Sequence, residues 1–236
     1  MVRADEPATE RDGSPRRRIP GLAGDRVVRD GLVREVSAAL DEAPGLVTLV
    51  GVGGAGKTFT AAAVARARTG EAGVAWVDLQ RARNLADLER ELAWALGLGR
   101  SSSSAALEAE LMQHEALLLV LDNLEQLPRD VADRLEDWLD AAPTLRVLGT
   151  SRRRLGVAGE RLFELTPLPV PREDEVLGSE MWALMGSWAP PGALSEVSAP
   201  VAKALLDELE GLPLAIRLAA GRLEVFDAGS LAGAIA

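Results

Sequence analysis

The segment from Gly51 to Thr58 constrains the fold more than any other part of this sequence. It reads GVGGAGKT, which fits the pattern G-x-x-x-x-G-K-[ST]. A short apolar run at 46–50 precedes it and is typical of a buried strand, and an alanine-rich helical stretch from Phe59 follows it. This order of strand, loop and helix predicts a P-loop, in which backbone N–H groups and a helix N-terminus face phosphate oxygens.

Each residue type in the loop has a physical reason. The glycines let the backbone curl so that successive N–H groups point at one centre. Lys57 is expected to reach the β- and γ-phosphates, and the Thr58 hydroxyl is expected to ligate Mg²⁺. The sequence therefore predicts binding of ATP or ADP with Mg²⁺, through Gly53, Gly54, Ala55, Gly56, Lys57, Thr58 and Phe59.

Strand-like and helix-like patterns alternate through the first two thirds of the chain. Further strands are predicted at 74–78, 117–122 and 145–150, with a short fifth at 161–165, and helical patterns separate most of them. Such alternation implies a parallel sheet covered on both faces. The predicted fold class is α/β: a P-loop NTPase with a parallel sheet of about five strands flanked by helices, then a small all-helical subdomain.

Changes in composition mark the expected domain boundaries. Residues 1–24 contain almost nothing apolar to bury, which predicts a disordered N-terminal tail. Prolines 167, 169 and 171 separate a nucleotide-binding domain at 25–168 from a helical subdomain at 169–236. Helices are predicted there at 172–187, 198–210 and 212–225. The apolar stretch 231–236 predicts an exposed surface on which a further domain docks.

Charge and composition exclude several classes of function. The net charge of −10 disfavours duplex binding by the bulk of the domain, so direct nucleic-acid binding is not expected. The absence of cysteine fits a cytoplasmic location, and the single histidine, His114, leaves little for histidine-based chemistry. No apolar run approaches the ~20 residues that cross a bilayer, and the N-terminus is not a secretory signal.

Two further strand ends carry candidate functional residues. Asp122 ends an apolar strand some 65 residues beyond the loop, where P-loop proteins place an acid that holds Mg²⁺ directly or through water. Arg152 follows the fourth predicted strand, and ligands bind beyond the carboxyl ends of such strands. A cation there can stabilise γ-phosphate charge, whereas Arg153 and Arg154 are expected to be surface charges.

These pieces, in this order, resemble the signal-transduction ATPases with numerous domains (STAND), the class of NB-ARC and apoptotic ATPases. The likeness is closest to the bacterial transcriptional-regulator branch. It covers roughly residues 25–225 and rests on the P-loop, residues 119–125, Thr150-Ser151-Arg152 with the later Gly159-Glu160-Arg161, residues 165–171, and Gly211-Leu212-Pro213-Leu214-Ala215. The P-loop is specific alone, and the other stretches are specific as a set.

The resemblance implies further roles. Pro213 would pack near adenine, and Arg152 would act as a sensor of the γ-phosphate. Relatives carry a Gly-Arg-acid turn before the first helix, near adenine. Its best match here is Val28-Arg29-Asp30, and Gly24-Asp25-Arg26 is a rival match.

One departure from the resemblance affects hydrolysis. Many relatives place a second acid, a potential general base, directly after the metal aspartate, but here that residue is Asn123. Glu125 is the nearest acid in sequence and is a weaker catalytic candidate beside Lys57, Asp122 and Arg152. Slow hydrolysis, with water oriented rather than deprotonated, is therefore expected.

Three functions remain open at this point. The first is an ATP/ADP switch with weak ATPase activity that signals through domain arrangement, self-association or a protein partner. The second is a non-hydrolysing nucleotide-binding module, which Asn123 favours. The third is a P-loop small-molecule kinase, in which Gly211 to Ala215 has no place.

Overall fold

A computed structural model describes residues 19–21, 29–42, 45–69, 73–114, 116–128 and 130–235. The strands are β1 Gly45–Val50, β2 Gly73–Asp78, β3 Leu117–Asp122, β4 Leu145–Ser151 and β5 Arg161–Glu164. The helices are α1 Asp30–Glu42, α2 Lys57–Ala67, α3 Leu85–Ala95, α4 Ser104–Gln113, α5 Asp130–Ala141, α6 Glu180–Trp188, α7 Ala199–Glu208, α8 Pro213–Arg222 and α9 Ala228–Ile235. Short 3₁₀ turns lie at Leu124–Gln126 and Val176–Gly178. The predicted fold class is confirmed.

The five strands form one parallel sheet in the order β2-β3-β4-β1-β5. Because all strands run the same way, their carboxyl ends share one edge of the sheet. The register places Val50 level with Ser151, and Asp78 level with Asp122. The glycine loop and Asp122 therefore reach the same edge, as expected for a ligand site in an open parallel sheet.

Apolar residues of the strands feed a core on each side of the sheet. In β3, Leu119 and Leu121 pack into one cluster, while Leu118 and Val120 pack into the other. Both faces are covered, which is why the strands read as continuous apolar runs rather than as alternating patterns. The first cluster includes Leu88, Leu92, Leu107, Leu111, Leu135 and Trp138, and the second includes Val36, Leu40, Ala61 and Val64.

The helices after residue 175 enclose a third cluster that includes Met181, Leu205 and Ile216. The predicted helix at 172–187 is shorter than expected, because Ser179 accepts a hydrogen bond from the Trp182 backbone N–H and starts α6 at Glu180. Helix α9 was not predicted at all.

The expected docking surface at 231–236 needs correction. Leu231 and Ala232 lie buried in the helical cluster, and Ile235 is exposed. The apolar character of this segment therefore arises mainly from packing of α9 within the chain. Ala236 lies outside the described residues.

A tight backbone contact joins the helical part to the segment before it. The Leu168 backbone N–H donates to the Gly211 carbonyl at 2.8 Å. Gly211 has φ 70°, and a Cβ on it would lie 1.9 Å from the Leu168 carbonyl oxygen. Only glycine fits this position, which explains the glycine two residues before α8.

Three residues of the predicted tail lie against the folded domain. Ile19 packs on the cluster that contains α1 and α2, and the Arg66 guanidinium donates to the Pro20 carbonyl at 2.8 Å. The rest of the predicted tail, residues 1–18 and 22–24, lies outside the described residues. Within the described part of the chain, no helix has both the length and the apolar character to cross a membrane.

Candidate nucleotide-binding site

The loop between β1 and α2 has the backbone that its glycines predict. Gly54 and Gly56 adopt φ values of 82° and 97°, in the left-handed region that favours glycine. Gly56 immediately precedes α2, which begins at Lys57. The helix N-terminus therefore opens directly at the loop, where its dipole favours an anion.

Lys57 lies inside this loop. Its Nζ donates to the carbonyl oxygens of Gly51 and Val52, at 2.8 and 2.9 Å. Burial lowers the pKa of Lys57, while the neighbouring carboxylate of Glu125 raises it. The ammonium is thus held at the phosphate-binding loop by two weak acceptors that an anionic ligand can replace.

Asp122 is the centre of a buried polar network at the sheet edge. Its Oδ1 accepts hydrogen bonds from the hydroxyls of Thr58, at 2.9 Å, and Thr150, at 2.5 Å. Burial raises the pKa of Asp122, and the two hydroxyl hydrogen bonds oppose that shift. Asp122 is 4% exposed, so the fold keeps a carboxylate at a position that costs stability, which is typical of a functional site.

The residues at Asp122 fit a magnesium ion. A hydroxyl and a carboxylate are the hard oxygen donors that Mg²⁺ takes, with nucleotide phosphates and water completing its shell. Among the described residues, no group of three or more His, Cys, Asp or Glu side chains could hold a metal. Thr58 and Asp122 would hold Mg²⁺ together with phosphate oxygens of a bound nucleotide.

Arg152 extends from the end of β4 toward the loop. Its Nη2 lies 3.6 Å from the position that a Cβ on Gly53 would take. Its Nε lies 3.3 Å from Oε1 of Glu125, and its side chain is 66% exposed. The Glu125 side chain is largely buried, and its second oxygen has no hydrogen-bond partner among the described residues.

The helical part closes the other side of the loop. The Leu214 backbone N–H donates to the Gly54 carbonyl at 3.2 Å, and the Pro213 ring lies 4.0 Å from a Cβ placed on Gly56. Arg29 donates to the Thr166 carbonyl at 2.6 Å, and burial lowers its pKa while Glu180 raises it.

These groups surround one cavity of about 480 Å³. All sequence-predicted site residues line it except Asp122, which lies directly behind Thr58. Its lining is Pro20, Gly21, Arg29, Gly53 to Thr60, Ala62, Asn123, Glu125, Arg152, Leu168, Leu184, Trp188, Pro213, Leu214 and Arg217.

No site role was predicted from the sequence for Trp188, Arg217, Thr150 or Asp78, which lie at or beside this cavity. Trp188 and Arg217 line it from the helical part, Thr150 bonds Asp122, and Asp78 accepts a hydrogen bond from Asn123. Asp78 and Thr150 end predicted strands, as Asp122 does, which is the signal that could have identified them. No comparable signal marks Trp188 or Arg217.

Arg29 and His114 differ in their position relative to this site. Arg29 lines the cavity, whereas Val28 and the rival match Gly24-Asp25-Arg26 lie outside the described residues. His114 follows α4, away from the cavity, with its Nε2 3.3 Å from Glu110. His114 thus caps the end of a helix and takes no part in the candidate site.

Five parallel strands in this order, with a phosphate-binding loop after β1 and a buried acid at the end of β3, define a P-loop NTPase fold. Residues 40–155 match the family model described as "AAA domain". Nucleotide binding follows from this fold.

Relatives in sequence come from mycobacteria. One is a Mycobacterium tuberculosis protein provisionally named an HTH-type transcriptional regulator, 32% identical over 181 residues. That alignment covers 75% of this chain and 20% of the relative. The chain thus spans about one fifth of the length of this relative.

Solved structures share the fold at low sequence identity. Drosophila ORC bound to DNA has a TM-score of 0.55 and 14% identity, over 86% of this chain and 64% of that chain. A STAND protein with a tetratricopeptide repeat sensor from Pyrococcus horikoshii has a TM-score of 0.50 and 17% identity, over 81% of this chain and 30% of that chain. At these identities the likeness shows the fold alone.

Proposed function

We propose that this chain is a molecular switch that binds ATP or ADP with Mg²⁺ and hydrolyses ATP slowly. The hydrogen bond from Leu214 to Gly54 carries the proposal, because it joins α8 directly to the loop that would hold the phosphates. A nucleotide that reshapes this loop also changes the contact made by the helical part. The output is a changed arrangement of the two parts or self-association with other copies.

Each candidate site residue has a proposed task. Lys57 exchanges its carbonyl partners for β- and γ-phosphate oxygens. Arg152 leaves Glu125 to bind the γ-phosphate, so the Arg152–Glu125 contact distinguishes ATP from ADP. Thr58 and Asp122 hold Mg²⁺, which would neutralise phosphate charge.

The helical side of the cavity is proposed to hold the base and sugar. Pro213 and Arg29 face this side, and Trp188 offers an indole near the same space. The backbone N–H groups from Gly53 to Phe59 are proposed to bind the phosphates.

The wider role is proposed to be regulation. The motif set resembles STAND proteins, and the mycobacterial relative carries a regulator's name. Both support a nucleotide switch within a signalling protein. A protein partner or a second copy would then receive the signal.

Single-turnover hydrolysis of Mg-ATP, with protein in excess, tests the proposal against the Lys57→Ala variant. Slow phosphate release that is lost in the variant is expected, together with a nucleotide-dependent change in sedimentation. Binding measured through Trp188 fluorescence, with Trp188→Phe as control, separates loss of affinity from loss of turnover. If ATP and ADP leave sedimentation and partner binding unchanged, the switch is wrong.

Asn123 supports a second candidate, a nucleotide-holding module without hydrolysis. The residue directly after Asp122 carries an amide, which cannot remove a proton from water. Tight ATP binding without phosphate release would identify this function. Turnover that requires an added acceptor would instead indicate a small-molecule kinase.

A further inference from the structure

An acidic residue, Asp78, lies beside Asn123, which occupies the position at which a second acid is expected. Asp78 ends β2 and lies level with Asp122 in the adjacent strand. Asn123 Nδ2 donates a hydrogen bond to Asp78 Oδ1 at 3.2 Å. The sheet thereby brings to Asn123 a carboxylate that is 45 residues away in sequence.

Backbone contacts hold both partners in place. Asn123 adopts φ 68°, a left-handed conformation that asparagine tolerates, and its N–H donates to the Thr150 hydroxyl at 3.0 Å. Asp78 Oδ1 also accepts from the Gln80 N–H at 2.9 Å. The Leu79 N–H donates to the Asp122 carbonyl at 2.9 Å. The pair is therefore built on ordered strand ends.

Asp78 determines which way the Asn123 amide faces. An ionised carboxylate only accepts hydrogen bonds, so the NH₂ group of Asn123 must point toward Asp78. The amide oxygen, Oδ1, is then left to accept from another donor. Asn123 lines the cavity with Lys57 and Arg152, whereas Asp78 is exposed to solvent and is not part of the cavity lining.

We propose that Asp78 is a positioning residue for ATP hydrolysis, acting through Asn123, whose Oδ1 accepts a hydrogen bond from the attacking water. This inference rests on the proposed function. The water oxygen bonds to the γ-phosphorus as the bond to the β,γ-bridging oxygen breaks, and that electron pair stays with ADP. Both water protons remain on the released phosphate until solvent takes one. Since the Asn123 amide orients the water but cannot remove a proton from it, turnover is slow.

Glu125, the other nearby acid, has a different contact. It is paired with Arg152, so its loss is expected to change ATP affinity through that arginine. Loss of Asp78 is expected to change turnover and to leave affinity nearly unaltered. The two acids are thus separable by experiment.

The test compares Asp78→Ala with Asp140→Ala, which removes an exposed carboxylate on α5. Asp78→Ala is expected to lower the single-turnover rate about 10–100-fold, with ATP affinity within about threefold of the wild type. Asp140→Ala is expected to match the wild type in both. An Asp78→Ala rate within about twofold of the wild type, or a parallel loss of affinity, overturns the role.

Exchanging the two side chains provides a stricter test. Asn123→Asp alone places two carboxylates against each other and should lower the rate. The double variant Asp78→Asn, Asn123→Asp restores the hydrogen bond in reverse and should recover at least the wild-type rate, because an acid now faces the water. A double variant no faster than Asn123→Asp contradicts the pairing.

The hydrogen bond between Asp78 and Asn123 can also be tested without nucleotide, independently of hydrolysis. In thermal unfolding, Asp78→Ala and Asn123→Ala should show losses of Tm that do not add in the double variant. If the losses add, the pair does not exist.

If the wild type binds ATP but releases no phosphate, the hydrolysing function fails and the positioning role falls with it. If the wild type hydrolyses and Asp78→Ala does so equally, the positioning role alone fails.

Discussion

The main-chain N–H of Leu214 donates to the carbonyl oxygen of Gly54, with the nitrogen and oxygen 3.2 Å apart. A Cβ placed on Gly54 would lie 3.1 Å from the Cβ of Leu214, so the loop and the start of α8 are in close contact. Charge introduced on this helix turn should therefore act on the phosphates. The Leu214 side chain is 51% exposed, which lets a polar replacement fold.

Leu214→Asp is predicted to weaken ATP and ADP binding by about tenfold or more. A carboxylate beside the phosphate loop would repel the nucleotide, since two unit charges about 4 Å apart interact by about 1–4 kcal/mol near a surface. Leu218→Asp, one turn further along α8 and 64% exposed, is the matched control. Equal affinity losses in the two variants would contradict a specific contact at Leu214.

Lys57→Ala is predicted to remove the stabilisation that nucleotide gives, with little change in the ligand-free protein. In the part of the chain that the structure describes, the lysine donates to the Gly51 and Val52 carbonyls, and water can satisfy these carbonyls instead. Mg-ATP at about 100 times its Kd should stabilise the wild type by about 2.7 kcal/mol, or about 5–10 °C in Tm. Differential scanning measurements of Tm check this. If ATP still raises the Tm of the variant, the phosphates bind elsewhere.

Most of the fold could be predicted from sequence because its signals are local. The loop pattern, the apolar strands and the prolines before the helical part each depend on residues that are close together in sequence. The pairing of β2 with β3 is not local, so the sequence shows that Asp78 ends a predicted strand but does not show that Asp78 contacts Asn123. The same holds for the hydrogen bond of Thr150 to Asp122, which joins two strands 28 residues apart.

The helical part was harder to predict for a different reason. Helix α9 is eight residues long and rich in glycine and alanine, so its apolar face is too short to give a clear period. Trp188 and Arg217 reach the cavity only because α6 and α8 pack together over it. Their contribution to a site depends on that packing.

Arg152→Ala is predicted to lower ATP affinity about tenfold and to leave ADP affinity within about twofold. The proposed contact of Arg152 is with the γ-phosphate, and hydrogen bonds to charged groups contribute about 1.5–3 kcal/mol, less where solvent screens them. Arg153→Ala removes an adjacent exposed charge and should change neither value. Isothermal titration with both nucleotides measures the difference, and equal losses for ATP and ADP would exclude a γ-phosphate sensor.

Asp122→Asn is predicted to stabilise the ligand-free protein at pH 7, seen as a higher Tm, while abolishing the Mg²⁺-dependent part of ATP binding. Burial raises the pKa of Asp122, so the folded state holds its proton more tightly than the unfolded chain does. The wild type therefore regains stability as pH falls through the folded pKa of Asp122 toward the lower unfolded pKa, and the advantage of the variant should shrink over that range. A gain in Tm that is constant with pH would mean that the carboxylate charge is not the cause.

Gly211→Ala is predicted to destabilise the protein by about 2–4 kcal/mol, lowering Tm by about 5–15 °C. The added Cβ would lie 1.9 Å from the Leu168 carbonyl oxygen, and the backbone φ of 70° strains any side chain. The contact is with backbone, so no rotamer change can relieve it.

Gly221→Ala, where a Cβ meets nothing within 4 Å, is the matched control within α8 and should raise stability by up to about 1 kcal/mol. Chemical denaturation of both variants measures the contrast. If Gly211→Ala unfolds at the wild-type midpoint, the contact between Leu168 and Gly211 does not hold the helical part in place.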